Sequence, residues 1–220
     1  MAAPKITFYV DIVSPFAYIA FYTVKNSPVF KGCEITCVPI VLGGLMKQCG
    51  NTPPLMIQNK RKWIDEERLR WSEQLKVPMS RVTPPGFPIN TLHIQRALTS
   101  LSLARPELLE RAVLLFWEST WPQWKEPTEP ENILAIIKTV IGSEEDAQRI
   151  VDAMQSDEVK KTLISNTDKA FKDGAFGLPW FVATNAKGET ERFWGVDHMG
   201  QLCDHLELER PGGKAWKSLL

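Results

Sequence analysis

The chain switches hydrophobic period twice, and this double switch constrains its fold more than any other feature. The opening segment reads as strand, helix, strand. Ile6-Thr7-Phe8-Tyr9-Val10 is β-branched and aromatic, and Ser14-Pro15 then starts a helix with serine as N-cap and proline at the first helical position. That helix runs to about Lys25. Lys31-Gly32 turns the chain into a second strand, Glu34 to Val41, where Pro39 marks an edge position or the end of pairing. A strand–helix–strand start of this length predicts parallel pairing.

After Gly43-Gly44 the pattern changes, and from about residue 59 to 172 the apolar period is helical. Ile64, Trp71 and Leu75 share one face of a helix that stops near Pro78. The loop Thr83-Pro84-Pro85-Gly86-Phe87-Pro88 separates it from a helix carrying Leu92, Ala97, Leu98 and Leu101. Pro106 starts another, with Leu109, Val113 and Phe116 inward, which ends at Trp121-Pro122. Glu131 to Ile141 stops at Gly142, Ser143-Glu144-Glu145-Asp146 has the form of a capping box, and Asp157 to Lys172 is a last long helix. Period two then returns. Trp180 to Thr184 and Glu189 to Trp194 form a hairpin around Asn185-Ala186-Lys187-Gly188, followed by a helix from His198 to about Glu207. The order β-α-β, helices, β-β-α predicts an α/β thioredoxin-like domain, residues 1–58 and 173–220, interrupted by an all-helical insertion, residues 59–172.

Composition narrows the function classes. Lys and Arg number 26 against 26 Asp and Glu, a neutral balance that argues against nucleic-acid binding by bulk electrostatics. No apolar run reaches the roughly 18 residues of a membrane span. Cys33, Cys37, Cys49 and Cys203 form no C-x-x-C pair, and His93, His198 and His205 give no zinc-ligand spacing, so no metal is expected. The strand-like N-terminus leaves no room for a secretory h-region, and Ser218-Leu219-Leu220 is not a peroxisomal address. The expectation is a soluble, intracellular protein with reduced thiols, its organelle open among cytoplasm, mitochondrion and peroxisome.

Two positions carry chemistry. Ser14 stands where helix N–H groups and the helix dipole favour negative charge; its oxygen accepts a backbone N–H bond while its O–H stays free to donate. Such a donor suits a thiolate. Lowering a thiol pKa from about 8.5 by ~2 units takes ~2.7 kcal/mol, within reach of one charge-assisted hydrogen bond plus a helix N-terminus. The plainer alternative is a serine that only caps a helix. Pro179, directly before the hairpin, reads either as an ordinary trans proline or as a cis proline that presents the Leu178 backbone N–H and C=O to a peptide-like ligand.

Asp11-Ile12-Val13-Ser14-Pro15-Phe16, Gly50-Asn51-Thr52-Pro53-Pro54 and Gly174-Ala175-Phe176-Gly177-Leu178-Pro179 resemble, in order, recurring motifs of the kappa-class glutathione transferases. The resemblance spans about residue 5 to 205. The wider group includes the 2-hydroxychromene-2-carboxylate isomerases and, more distantly, DsbA-like oxidoreductases. It implies a DsbA-like fold and glutathione as co-substrate, with Ser14 as the catalytic residue on the sulfur. It also implies that Phe16, Asn51, Lys60, Leu178, Pro179, Val196, Asp197 and His198 surround the tripeptide. Lys60 would meet the glycine carboxylate, Leu178 the cysteinyl backbone beside a cis Pro179, and Val196 and Asp197 the γ-glutamyl end. The plainer alternatives are a solvated face for Lys60-Arg61-Lys62 and a helix N-cap for Asp197. His198 departs from the arginine usual in this family, exchanging a pH-independent bidentate donor for an imidazole. Ser14 and Ala17 occupy the two cysteine places of the redox relatives, which excludes disulfide exchange at this site.

The leading expectation is a glutathione transferase whose bound thiolate attacks a hydrophobic electrophile, or a peroxide oxygen. The alternatives are a glutathione-dependent isomerase of the 2-hydroxychromene-2-carboxylate type and a non-catalytic glutathione-binding protein. The resemblance implies a homodimer. Trp117, Trp121 and Trp124 would line an apolar cleft between the lobes, or else belong to the core or a dimer interface.

Overall fold

The computed structural model describes residues 2–210. Met1 and residues 211–220, with the end of the expected sheet lobe and the Ser218-Leu219-Leu220 terminus, lie outside the described residues. β1 (Lys5–Val10), α1 (Pro15–Asn26) and β2 (Glu34–Pro39) form the first unit. β1 and β2 pair in parallel, from Lys5 opposite Glu34 to Val10 opposite Pro39. β2 is an edge strand and ends at Pro39, short of the expected Val41; Ile40 still donates to the Val10 carbonyl at 3.0 Å, so the position that lacks an N–H turns to the open edge of the sheet.

α2 (Leu42–Gln48) follows at once. It was not expected from sequence, since Gly43-Gly44 lies inside it and glycine is a poor helix former. Tertiary contact supplies what propensity lacks: Leu45 and Met46 are buried, and α2 packs against α8 (Asp157–Lys172). The helical segment comprises α3 (Lys60–Leu75), α4 (Leu92–Ala104), α5 (Leu109–Thr120), α6 (Pro130–Ile141), α7 (Glu144–Ala153) and α8. Local signals explain several boundaries. Gly142 ends α6 at φ 81°, and Ser143 and Ser156 accept the N–H groups of Asp146 and Val159 as N-caps of α7 and α8. Pro106 opens a 3₁₀ turn before α5 rather than the helix itself.

β3 (Trp180–Thr184) and β4 (Thr190–Trp194) close the sheet in the order β2-β1-β3-β4, with β3 antiparallel to both neighbours. The sheet is therefore mixed, with the parallel part confined to the opening unit. A 3₁₀ turn at Val196–His198 precedes α9 (Met199–His205), so this helix starts one residue later than expected. The core runs from Phe8 on β1 through Phe21 on α1 to Trp117 on α5, whose ring contacts both phenylalanines. Trp117 is thus a core residue and not part of a cleft wall. No helix among the described residues is long and apolar enough to cross a membrane.

Candidate active site

The end of β1 turns sharply into α1. The Ser14 N–H donates to the Asp11 carbonyl at 3.1 Å, and Ser14 adopts the extended N-cap conformation (φ −88°, ψ 112°). Its Oγ accepts from the Ala17 N–H at 3.1 Å, while its own hydroxyl hydrogen has no acceptor among the described residues. Ser14 is only 5% exposed, so its hydroxyl sits at the base of the site and not on open surface. Phe16, one residue into α1, is half-buried against the core.

Before β3, the Leu178–Pro179 peptide bond is cis. The backbone N–H and C=O of Leu178 have no hydrogen-bond partner among the described residues, although the side chain is buried. The Gly195 N–H donates to the Pro179 carbonyl at 3.1 Å, joining this segment to the Val196–His198 turn, which packs on α1. The Asn51 Nδ2 donates to the Phe176 carbonyl at 2.8 Å, joining the loop after α2 to the same segment. Val196 is buried and Asp197 exposed, with the His198 Nδ1 lying 3.4 Å from the Asp197 Oδ1 but without hydrogen-bond geometry, so that Nδ1 is buried and unpartnered.

Gly195 has φ +94°, and a Cβ there would stand 2.3 Å from the Asp197 Oδ1. Glycine is required for the turn that presents Asp197. Ser14, Asn51, Leu178, Pro179, Val196 and Asp197 therefore belong to one bonded or packed set of segments. Lys60 does not. It is the exposed first residue of α3, and its side chain has no partner among the described residues.

A cavity of about 610 Å³ lies next to Ser14 at Pro15, without being lined by any of the expected glutathione-site residues. Pro15, Arg61, Lys62, Arg68, Phe87 and Trp121 are among the residues that line it. Its floor is organised by Arg68, which is 2% exposed and donates to the Ser80 carbonyl at 2.6 Å, the Thr83 Oγ1 at 3.2 Å and the Asp65 Oδ1 at 2.8 Å. The guanidinium also sits 5.7 Å from the Trp121 ring centre, and Trp121 meets Phe87 edge-on while donating its Nε1 hydrogen to the Ile12 carbonyl at 3.1 Å. Burial raises the Asp65 carboxyl, but hydrogen bonds from Thr83 and Arg68 outweigh it and hold it below its ordinary range.

Sequence reasoning gave a solvated face for Lys60-Arg61-Lys62 as the plainer alternative and passed over Arg68; Arg61 and Lys62 are exposed and line the cavity. The available signal was spacing. Arg68 falls between Ile64 and Trp71 on the face read as apolar, where a charged residue implies a buried, fully bonded cation. Trp124 is half-buried and does not line this cavity.

The protein's own thiols are poorly suited to nucleophilic work. Cys33, Cys37, Cys49 and Cys203 are free, and burial raises the thiols of Cys33, Cys37 and, to about 12, Cys203. Among the described residues no group of three or more His, Cys, Asp or Glu side chains could hold a metal ion.

A four-stranded mixed sheet with a serine-capped first helix, a cis-proline before β3, and helices inserted before the closing hairpin defines a class. The sequence pattern of the DSBA-like thioredoxin domain matches residues 5–207. Glutathione S-transferase kappa 1 of Rattus norvegicus is 30% identical over 207 residues, covering 91% of this chain and 90% of that protein. Glutathione S-transferase kappa 1 of Caenorhabditis elegans is 28% identical over 214 residues, covering 94% and 93%. Among solved structures, 2-hydroxychromene-2-carboxylate isomerase superposes with a TM-score of 0.76 over 92% of this chain and 94% of the other, at 18% identity, a likeness of fold. The chain belongs to the kappa-class glutathione S-transferases, within the DSBA-like thioredoxin family.

Proposed function

We propose that this protein is a glutathione transferase in which Ser14 holds the glutathione sulfur as thiolate. One observation carries the proposal: a serine hydroxyl hydrogen at a helix N-cap has no acceptor among the described residues, and that helix packs on the turn bonded to the cis Pro179. Glutathione is a peptide with one thiol. Its cysteinyl N–H and C=O match the two open groups of Leu178 as a short antiparallel ladder, and its sulfur matches the Ser14 donor. Asp197 faces the γ-glutamyl ammonium, and Val196, Pro179 and Phe16 line the peptide. Asn51 holds the Phe176–Pro179 segment in place, and Lys60, unpaired and exposed, is free to meet the glycine carboxylate. In this division residues 1–58 and 173–220 bind glutathione, and residues 59–172 supply most of the acceptor cleft.

The thiol loses its proton to solvent on binding. Ser14 and the N-terminal N–H groups of α1 stabilise the negative sulfur. The sulfur lone pair attacks an electrophilic carbon of a substrate held in the cavity, a carbon–sulfur bond forms, and the displaced group leaves with its electron pair. The chain contributes position and charge stabilisation and no nucleophile of its own. The high thiols of the buried cysteines accord with a borrowed nucleophile.

Ser14→Ala tests this directly. Expected is a fall in conjugation turnover of about a hundredfold, the scale of losing one oxyanion-type donor, with the fold retained at a cost of about 1 kcal/mol for the lost cap. Turnover within about twofold of wild type overturns the catalytic role and favours a binding protein. A second reading, reversible thiolate addition to an unsaturated acid followed by expulsion, is favoured by Arg61 and Lys62 at the cavity, where two cations suit a carboxylate. Rearranged product without a stable conjugate distinguishes it from transfer.

A further inference from the structure

We infer that Asp11 is a positioning residue for Ser14, acting as a clasp that ties the serine's turn to both halves of the molecule; this rests on the reading of Ser14 as the thiolate donor. Asp11 directly follows β1 and is 2% exposed. Its Oδ1 accepts from the Val13 N–H at 3.2 Å, the Thr91 Oγ1 at 2.6 Å and the Gln95 Nε2 at 3.1 Å, and its Oδ2 from the Leu42 N–H at 2.8 Å. Its main-chain carbonyl accepts the Ser14 N–H. One residue thus joins the turn 11–14, the start of α2, and α4 of the helical segment.

All four side-chain partners are neutral donors, and a set of donors alone fits an ionised carboxylate. Among the described residues no cation forms an ion pair with it. Burial pushes the carboxyl above its usual range, against the pull of these bonds. A buried charge kept by hydrogen bonds alone is costly to hold, which a residue needed only for packing would not require. Gln95 bears part of that cost, since its Oε1 is buried without a partner while its Nε2 serves Asp11. What the clasp secures is the turn geometry that leaves the Ser14 hydroxyl hydrogen unspent.

The charge itself opposes a nearby thiolate, and this gives the test a sign. Asp11→Asn removes the negative charge, which by Coulomb interaction alone lowers the pKa of bound glutathione. It also sets an amide NH₂ against the Leu42 N–H, donor facing donor, and loosens the turn. Loss of positioning raises the pKa.

The thiol pKa of enzyme-bound glutathione, read from thiolate absorbance against pH in the full chain, separates the two. The expected result for Asp11→Asn is an upward shift of about one unit and a fall of about tenfold in kcat/KM at neutral pH, with the calorimetric glutathione Kd within about threefold of wild type. Thr91→Val, which removes the shortest bond and keeps the carboxylate, is expected to shift the same way by a smaller amount, and Thr91→Ser to restore wild-type values; these decide the matter if Asp11→Asn does not fold. A downward or absent shift in the folded variants overturns the role of Asp11. An unchanged thiol pKa in Ser14→Ala overturns the parent reading instead.

Discussion

On the proposed function, Ser14 serves structure and chemistry with one hydroxyl. Its oxygen caps α1 while its hydrogen is left for a ligand, because a hydroxyl accepts and donates in different directions. Gly195 has a comparable double task, being the only residue type without strain at φ +94° and without a clash on Asp197. Gly195→Ala is expected to cost about 1 kcal/mol in a denaturant titration and to weaken glutathione binding by displacing the Asp197 carboxylate. His198 offers an unpartnered Nδ1 beside the same turn. His198→Arg is expected to tighten glutathione binding by calorimetry, since a guanidinium is charged at every working pH; equal or weaker affinity counts against a ligand role at this position. Asp173, just before the cis-proline segment, receives Tyr9 Oη and Lys169 Nζ. Burial raises its carboxyl, but those two bonds outweigh it and the net direction is down, while burial and then the Asp173 bond push Tyr9 up to about 12. A depressed carboxyl stabilises the fold above the unfolded pKa of about 3.9 and loses that contribution as pH falls through the lower folded value. Urea titrations should therefore show Asp173→Asn less stable than wild type by about 1 kcal/mol at neutral pH, discounted because Lys169 is solvent-exposed, with the gap closing in acid.

Among the elements, those with local punctuation were legible in the sequence. Ser14-Pro15, Gly142, Ser143 and the hairpin turn after Thr184 each satisfy backbone groups within a few residues, so their boundaries follow from composition. α2 was not legible, because Gly43-Gly44 lowers its propensity and its stability comes from α8 and from the Asp11 bond to the Leu42 N–H. The cavity proposed to hold the acceptor was not legible for the same reason. Arg68 organises it by reaching from α3 to carbonyls of the loop at Ser80 and Arg81, contacts that no sequence window contains. The side of the site proposed to hold glutathione was legible where the serine and the proline are locally encoded; the side proposed to hold the acceptor depends on packing between distant segments. Arg68→Met should lower stability by about 3 kcal/mol by thermal or chemical unfolding, since it leaves buried carbonyls and Asp65 without their donor. It should also raise the acceptor KM more than the glutathione KM, because the cavity wall moves while Leu178 and Asp197 do not.

At the scale of the whole molecule, the proposed function assigns the peptide ligand to the segment before β3 and the acceptor to the cavity lined mostly by the inserted helices, where apolar and charged groups meet. Neutral net charge suits this arrangement, since a small zwitterionic peptide needs a few placed groups and no broad field. Because glutathione would bind the folded chain only, a hundredfold excess over Kd is expected to stabilise it by about 2.7 kcal/mol, a rise of several degrees in Tm, and Asp197→Ala should diminish that rise. The most direct measurement is a crystal structure of the protein soaked with glutathione. The account predicts the sulfur within hydrogen-bonding distance of the Ser14 Oγ, the cysteinyl backbone paired with Leu178 and the γ-glutamyl ammonium at Asp197. Glutathione bound with its sulfur turned away from Ser14, or bound elsewhere in the cavity, would contradict it.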